Sequence, residues 1–118
     1  MIEAVIFDLD GTLTTVRSIW QYVHEALGTW DKGSQYARRF FEGRITYEEW
    51  ARLDTRLWER LPLEGLERIL CSVQYTKGAK ETVSSLRKRG VKVATISAGL
   101  SILADRAARE LGLDYSVA

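Results

Sequence analysis

The sequence contains little cysteine, proline or methionine, and no asparagine. Cys71 is the only cysteine among the 118 residues, which excludes an intramolecular disulfide and agrees with a reducing compartment. Its apolar neighbours Ile69, Leu70 and Val73 predict a small buried side chain and not a catalytic thiol. Thermolabile residues are scarce and arginine outnumbers lysine twelve to five, a composition typical of thermophilic proteins.

The chain also lacks a strong net charge and a long apolar run. A net charge of +1 provides no field that favours nucleic acid or an anionic membrane. No stretch reaches the roughly 20 apolar residues of a membrane span, and the N-terminus has no basic region of a signal peptide. The 46% hydrophobic and 28% charged residues are typical of one globular domain, which we expect to be cytoplasmic.

The first stretch of the chain combines a strand pattern with two acidic residues. An apolar run from Ile2 to Phe7 is followed by Asp8, Asp10 and Gly11, which predicts a parallel strand buried on both faces with carboxylates at its ligand-binding end. Two such charges raise each other's pKa unless a cation neutralises them. Either one carboxylate stays protonated for acid–base chemistry, or a hard metal ion lies between them. A plain turn is the remaining alternative, since Asp and Gly favour turns.

Helical periodicity follows this strand and continues to about residue 73. The predicted helices run from Ile19 to Leu27, from Ser34 to Glu42, from a capping box at Thr46 to Pro62, and from Leu63 to about Val73. All four tryptophans lie in this stretch, which indicates an aromatic core and not a cofactor site. His24 is interpreted as a surface or satisfied helix histidine and not as a metal ligand.

The pattern then changes to alternating helix and strand. It predicts a helix from Ala79 to Arg89, a strand from Val91 to Ile96, a helix from Leu100 to Leu111 and the start of a third strand at Leu113. This order predicts a parallel α/β sheet with a helical insert after its first strand.

Two motifs resemble the haloacid dehalogenase superfamily, in particular its phosphoserine phosphatase-like branch. Residues 7–13, FDLDGTL, match the first motif, and residues 78–99 follow the pattern that leads into the second, ending in Ile96-Ser97-Ala98-Gly99. The resemblance spans the whole chain. It implies an incomplete Rossmann-like parallel sheet formed by residues 1–14 and 76–118, with an all-helical cap at residues 15–75.

The resemblance also implies a role for each matching residue. Asp8 corresponds to the nucleophile that forms an aspartyl-phosphate, and Asp10 to the general acid and base. Both would hold Mg²⁺, Asp10 through its backbone carbonyl. The implied phosphate-binding residues are Gly11, Thr12, Ser97 and Ala98. Thr12 is also expected to brace the Asp10 loop, with Thr14 as a weaker candidate, and Ser97 has the alternative role of a helix N-cap.

Arg17 is a departure from the family pattern. Phosphoserine phosphatases typically carry a glutamate there, which meets the amino group of the substrate. A cation at this position favours a carboxylate or a second phosphate on a small phosphorylated metabolite. The alternative is a solvated arginine at the start of the insert.

The family's motif-three lysine and motif-four acidic pair have no counterpart among these residues. We therefore expect the 118 residues alone to be inactive or weak, and the activity to belong to a longer parent chain. A second hypothesis is a non-catalytic interaction module that dimerises through an unpaired sheet edge. A third is a phospho-acceptor domain like a two-component receiver, which the long helical insert disfavours.

Overall fold

The computed structural model describes residues 1–118 and contains three strands and six helices. The strands are β1 Ala4–Asp8, β2 Lys92–Ile96 and β3 Tyr115–Val117. The helices are α1 Ile19–Leu27, α2 Trp30–Phe41, α3 Tyr47–Arg56, α4 Leu63–Cys71, α5 Ala79–Lys88 and α6 Ser101–Leu111. No helix is long and apolar enough to cross a membrane. The chain forms an α/β unit, residues 1–19 and 70–118, and a helical unit, residues 20–69.

A parallel sheet in the order β1-β2-β3 forms the centre of the α/β unit. The register pairs Asp8 with Ile96, and Ile96 with Val117. The carboxyl ends of all three strands are therefore neighbours, and residues that follow β1 and β2 emerge at the same edge of the sheet. The predicted α/β class is confirmed, and the sheet places Asp8 where ligands bind in such folds.

Only one face of this sheet is covered by helices. The chain steps from β1 to β2 to β3 in one direction, and right-handed crossovers then place both α5 and α6 on the same face. Val93 and Thr95 on that face are completely buried. The large apolar side chains of the other face are more than half exposed: Ile6, Ile96, Tyr115 and Val117. The prediction that β1 is buried on both faces is therefore wrong, because its side chains alternate in exposure.

Aromatic side chains pack together in the helical unit. The ring of Trp20 stacks on Trp58 with centroids 5.4 Å apart, and Phe40 stacks on Trp50 at 4.7 Å. These contacts agree with the prediction of an aromatic core. The predicted capping box is present as well: the Thr46 hydroxyl accepts from the Glu49 amide, and the Glu49 carboxylate accepts from the Thr46 amide.

A buried polar cluster lies inside the helical unit. His24 is completely buried, and its Nδ1 accepts a hydrogen bond of 3.2 Å from Trp58 Nε1. The other ring nitrogen, Nε2, faces Asp54 Oδ1 at 3.3 Å without an aligned hydrogen bond. A Cβ at Gly33 would lie 2.8 Å from the His24 ring. The ring therefore packs directly against the backbone of α2.

Three predicted details differ from the structure. Helix α2 begins at Trp30, one turn before the predicted Ser34, because its glycine accommodates the His24 ring and does not end the helix. Helix α3 ends at Arg56 and not at Pro62, since the amides of residues 57 and 58 bond to carbonyls only three residues back. Cys71 is exposed and not buried, because Leu70 beside it takes the inward-facing position.

Candidate active site

A five-residue turn, Leu9–Leu13, follows β1 and carries the acidic motif. The Asp8 carboxylate accepts a hydrogen bond of 2.9 Å from the Leu9 amide. The Thr14 amide donates to the Leu9 carbonyl over 3.1 Å and closes the turn. Gly11 has a φ of +71°, which a residue with a side chain adopts at a cost. The buried side chains of Leu9 and Leu13 fix both ends of the turn in the core.

Asp10 is the better shielded of the two carboxylates. Its Oδ2 accepts a hydrogen bond of 2.9 Å from the backbone N–H of Ile19, the first residue of α1. Its Oδ1 is buried and has no hydrogen-bond partner. Burial raises the pKa of Asp10, the Ile19 N–H opposes this, and the negative charge of Asp8 adds to it. Asp8 itself is exposed, so the two carboxylates lie in different environments.

Ser97 follows β2 directly and lies at the same edge of the sheet. Its hydroxyl oxygen accepts a hydrogen bond of 2.9 Å from the Gly99 N–H. A Cβ at Gly99 would lie 3.0 Å from Ser97 Oγ and 3.6 Å from Asp10 Oδ2. The structure thus brings the first and second motifs together. Ser97 is not the N-cap of α6, a position that Leu100 occupies.

The two threonines brace the turn in the reverse of the predicted order. The buried Thr14 hydroxyl lies 3.4 Å from the Leu9 carbonyl and 3.3 Å from the Val16 carbonyl. Thr12 is exposed and contributes its carbonyl, which accepts a hydrogen bond of 2.6 Å from the Thr76 hydroxyl. Thr14 is therefore the side chain that braces the turn.

Arg17 lies close to the turn through its backbone. Its Cα would be 3.7 Å from a Cβ at Gly11, while its side chain is exposed and forms no ion pair. Ala98, between Ser97 and Gly99, is exposed as well. Both predicted residues are thus within the α/β unit and near the residues of the two motifs.

The donor atoms of the turn suit a hard cation. The Asp10 Oδ1 atom is a buried acceptor without a donor, and neither Asp8 nor Asp10 forms an ion pair with a lysine or arginine. Oxygen ligands of this kind are those that Mg²⁺ prefers. No cluster of three His, Cys, Asp or Glu side chains could hold a metal ion. Bound Mg²⁺ would therefore take its other ligands from backbone carbonyls, water or a substrate phosphate.

Surface grooves of the α/β unit lie elsewhere. One of about 590 Å³ runs between α5 and α6 and includes Lys80, Arg87, Lys92 and Arg109. It contains none of the predicted site residues. The chemistry of the side chains at the strand ends, and not the depth of a cavity, identifies the candidate site.

Sequence reasoning missed three groups at this site. Ile19 contributes only a backbone N–H, for which residue type gives no signal. Gly99 is needed for its close approach to Ser97 and Asp10, and the Ser-Ala-Gly spacing could have indicated this. Thr76 is distant in sequence from the turn that it contacts, and nothing in its neighbourhood predicts the contact.

Comparisons with known proteins agree with this geometry. The family model of haloacid dehalogenase-like hydrolases matches residues 2–118. A phosphoserine phosphatase of Archaeoglobus fulgidus is 42% identical over 112 residues, which cover 95% of this chain and 32% of that protein. The phosphoserine phosphatase of Methanocaldococcus jannaschii is 32% identical over 116 residues, which cover 98% of this chain and 54% of that protein.

Solved structures of the same kind share the fold. A substrate-bound phosphoserine phosphatase matches with a TM-score of 0.81 at 28% identity, and a phospho-aspartyl intermediate analogue of phosphoserine phosphatase with 0.77 at 31% identity. Each match covers 98% of this chain and 55% of the other. The chain thus spans between about a third and just over half of each of these proteins. It belongs to the haloacid dehalogenase-like hydrolases.

Proposed function

We propose that this chain carries the nucleophile and the acid–base group of a Mg²⁺-dependent phosphomonoester hydrolase that acts on a small phosphorylated metabolite. One observation carries the proposal. An exposed carboxylate, Asp8, ends the first strand, and a second carboxylate with a raised pKa, Asp10, follows it in a turn fixed by the core. Two carboxylates with different environments supply the two roles that phosphoryl transfer to an aspartate requires.

The proposed reaction has two steps. In the first, an Asp8 oxygen attacks phosphorus, the bond to the leaving oxygen breaks, and Asp10 gives its proton to that oxygen. In the second, Asp10 removes a proton from water, which attacks phosphorus and releases phosphate and the Asp8 carboxylate. The raised pKa of Asp10 favours the protonated form that the first step uses. The likeness to a phospho-aspartyl intermediate analogue supports the covalent intermediate.

We assign the phosphate oxygens to groups on both motifs. The N–H groups around Gly11 and Thr12, the Ser97 hydroxyl and the Ala98 N–H would donate to them. Ser97 accepts from Gly99 through its oxygen, which leaves the hydroxyl hydrogen available to a phosphate. Mg²⁺, held by the Asp8 carboxylate and the Asp10 carbonyl, would neutralise negative charge on the phosphoryl group.

Arg17 is our candidate for substrate selection. Its side chain is exposed and unpaired, and its Cα lies beside Gly11. A guanidinium group there favours a substrate with a carboxylate or a second phosphate. The named relatives are phosphoserine phosphatases, but the cation at position 17 leads us to propose selectivity for a phosphomonoester without the amino group. A cytoplasmic location, with its supply of such metabolites, is part of the same proposal.

The 118 residues alone are expected to turn over slowly. Neither Asp8 nor Asp10 has a lysine or arginine within ion-pair distance, and uncompensated negative charge at the site opposes the approach of a phosphate. We therefore choose a test that detects one phosphorylation event as well as turnover. The chain is incubated with Mg²⁺ and p-nitrophenyl phosphate, and both nitrophenol release and the mass of the intact protein are measured.

The expected result is one added phosphoryl group in the wild type and none in Asp8→Asn. Asp10→Asn is expected to slow the loss of the phosphoryl group from Asp8, because the attacking water loses its proton acceptor, while nitrophenolate leaves without a proton donor. Asp105→Asn, an exposed position on α6, is the matched control and should behave as wild type. Phosphorylation that persists in Asp8→Asn would show that another residue is the acceptor and contradict the proposal. Rapid turnover by the wild type would overturn only the expectation of weak activity.

A second candidate function is self-association as a non-catalytic module. The observation that favours it is the open sheet face with Ile6, Ile96, Tyr115 and Val117 exposed, together with unpaired edges on β1 and β3. Unpaired strands recruit other strands. Light scattering would show a dimer that Ile96→Lys dissociates; a wild-type monomer at all concentrations would exclude it.

A further inference from the structure

We propose that Thr76 is a positioning residue for the Leu9–Leu13 turn, and that Arg106 anchors the segment that carries it. This inference rests on the proposed function, since the turn contains Asp10, the proposed acid–base group, and the N–H groups proposed to bind phosphate. Thr76 belongs to the segment Gln74–Thr76, which returns from the helical unit to the α/β unit. We refer to these residues as the return segment.

The return segment is bonded to the second half of the turn and the residues after it. The Thr76 hydroxyl donates to the Thr12 carbonyl over 2.6 Å, and the Thr76 amide donates to the Leu13 carbonyl over 2.8 Å. The Thr15 amide donates to the Gln74 carbonyl over 3.0 Å. An antiparallel bridge pairs Thr14 with Tyr75 at the same place. The two segments therefore form a short ladder beside the active site.

The Thr76 hydroxyl acts where the turn has the most freedom. Gly11, with its φ of +71°, can adopt many more backbone conformations than other residues. The Thr12 carbonyl belongs to the next residue along the chain, so a hydrogen bond to it restricts the conformations that Gly11 permits. The bond that closes the turn runs from Thr14 to Leu9 and does not involve this carbonyl. Thr76 thus restrains the part of the turn from which phosphate donors would emerge.

Arg106 of α6 anchors the return segment. Its Nη1 donates to the Leu70 carbonyl over 2.8 Å and to the Val73 carbonyl over 3.0 Å. Its guanidinium lies 5.0 Å from the centre of the Tyr75 ring. Glu110 accepts from Arg106 Nε at 3.1 Å and from the Tyr75 hydroxyl at 2.7 Å. Arg106, whose side chain is 14% exposed, therefore links the end of α4, Val73 and the residue that precedes Thr76.

The test measures the opening of the turn without relying on activity. Thr76→Val keeps the shape of the side chain and removes only the hydroxyl. Hydrogen exchange is followed for the Thr14 amide, whose bond to Leu9 closes the turn, and for the Ala104 amide in α6 as a reference. We expect exchange at Thr14 to become about fivefold faster, the effect of losing one hydrogen bond, and exchange at Ala104 to stay unchanged. Thr76→Ser keeps the hydroxyl and should restore the wild-type rate.

A matched control uses the other threonine of the ladder. Thr15→Val removes a longer contact of 3.3 Å, to the Gln74 carbonyl, that does not involve residues of the turn. It should leave exchange at Thr14 within about twofold of wild type. Unchanged exchange at Thr14 in Thr76→Val, or an equal acceleration at Ala104, would overturn the positioning role.

Phosphorylation by p-nitrophenyl phosphate separates this inference from the proposed function. If the function is correct, Thr76→Val lowers the rate constant of phosphorylation with the half-saturating substrate concentration unchanged, and Thr76→Ser restores it. If no variant is phosphorylated, the proposed function fails while the exchange result still decides the role of Thr76. Normal phosphorylation in a Thr76→Val protein with faster exchange would contradict the link between the turn and catalysis.

Discussion

The Gly99 amide donates a hydrogen bond to the Ser97 hydroxyl oxygen, and a Cβ at Gly99 would lie too close to neighbouring side chains. That Cβ would lie 3.0 Å from Ser97 Oγ and 2.8 Å from Ile19 Cγ2. One glycine therefore orients the candidate phosphate donor of the second motif and makes room for the residue whose amide holds Asp10. Both carboxylate and hydroxyl depend on the same small residue.

Gly99→Ala is expected to reduce phosphorylation of Asp8 about tenfold to a hundredfold. The new Cβ would push the Ser97 hydroxyl away from the position in which it can bind phosphate. The overpacked contact with Ile19 should also lower the free energy of unfolding by about 1–3 kcal/mol. Urea denaturation and the phosphorylation assay measure the two effects. Ser97→Ala adds no atom, so it should reduce phosphorylation with little loss of stability. A fully active and stable Gly99→Ala protein would refute the tight packing.

Arg17→Glu is expected to change substrate preference. Wild type should take its phosphoryl group from the deaminated analogue of phosphoserine, which keeps its phosphate and carboxylate, in preference to phosphoserine. In the variant, the ratio of kcat/KM for the deaminated analogue to kcat/KM for phosphoserine should fall by about tenfold. This is the effect of about 1.4 kcal/mol of differential binding. Arg89→Glu, an exposed position at the end of α5, controls for net charge. An unaltered ratio would make Arg17 a solvated surface residue.

Gly33→Ala is expected to destabilise the protein although the same change inside a helix normally stabilises by about 0.5–1 kcal/mol. The new Cβ would lie 2.8 Å from the rigid, completely buried His24 ring, at a cost of about 1–3 kcal/mol. Gly65→Ala in α4 is the control, because its close neighbour is the flexible end of Leu61. Urea unfolding of both variants separates the outcomes, and equal stabilities would refute the ring contact.

Arg106→Met is expected to lower the free energy of unfolding by about 1–3 kcal/mol, because the Leu70 and Val73 carbonyls each lose a charged donor. Methionine retains most of the apolar stem, so packing changes little. Arg109→Met, on the same helix and without an ion pair, should change stability by less than about 0.5 kcal/mol. Thermal or urea unfolding distinguishes them; two equal losses would argue against the anchoring role.

Asp114→Asn is expected to alter stability in acid. The Val93 N–H and then the Arg87 guanidinium lower the pKa of Asp114, with Oδ2 2.8 Å from Val93 N and Oδ1 3.2 Å from Arg87 Nη2. A lowered pKa in the folded state contributes stability above the ordinary pKa of about 4, and this is lost as pH falls through the folded value. The variant should be less stable than wild type at pH 7, and the difference should shrink below pH 4.

Asp105→Asn provides the control for that titration, since it removes an exposed carboxylate from α6. Unfolding curves at a series of pH values between about 2 and 7 give the slopes of stability against pH. If the free energies of unfolding of Asp114→Asn and wild type differ by the same amount at every pH, the Val93 and Arg87 contacts do not act through the charge of Asp114.

Much of the α/β unit could be predicted because its signals are local. The strand of Val5 and Phe7, the acidic turn and the glycine after α5 each reflect a backbone preference of neighbouring residues. Family motifs then assign Asp8, Asp10 and Ser97, and the structure brings Asp10 and Ser97 close to the same glycine. Their chemical roles stay predictions until they are measured.

The features that were wrong or missed depend on partners distant in the sequence. The predicted start of α2, at Ser34, is one turn late, and the local pattern does not reveal that Gly33 contacts the His24 ring. The exposure of Ile6 follows from the direction in which the strands are added, a property of topology that the local pattern of β1 does not contain. The contact of Thr76 with Thr12 joins residues 64 positions apart. No periodicity or turn preference carries such information.

The bridge between Thr14 and Tyr75 makes the entire helical unit, topologically, the loop of one β-hairpin. The residues that follow the turn and those that precede α5 are adjacent and hydrogen-bonded, and the helical unit lies between them in the sequence. Loop-closure entropy grows slowly with length, so the roughly sixty residues between them cost only about 3 kcal/mol more than a two-residue turn. Exchange of residues 20–69 alone would keep the Thr14–Tyr75 bridge and Ile19, whose amide bonds to Asp10. The helical unit, residues 20–69, can therefore differ in length or sequence between related chains without removing a residue of the proposed site.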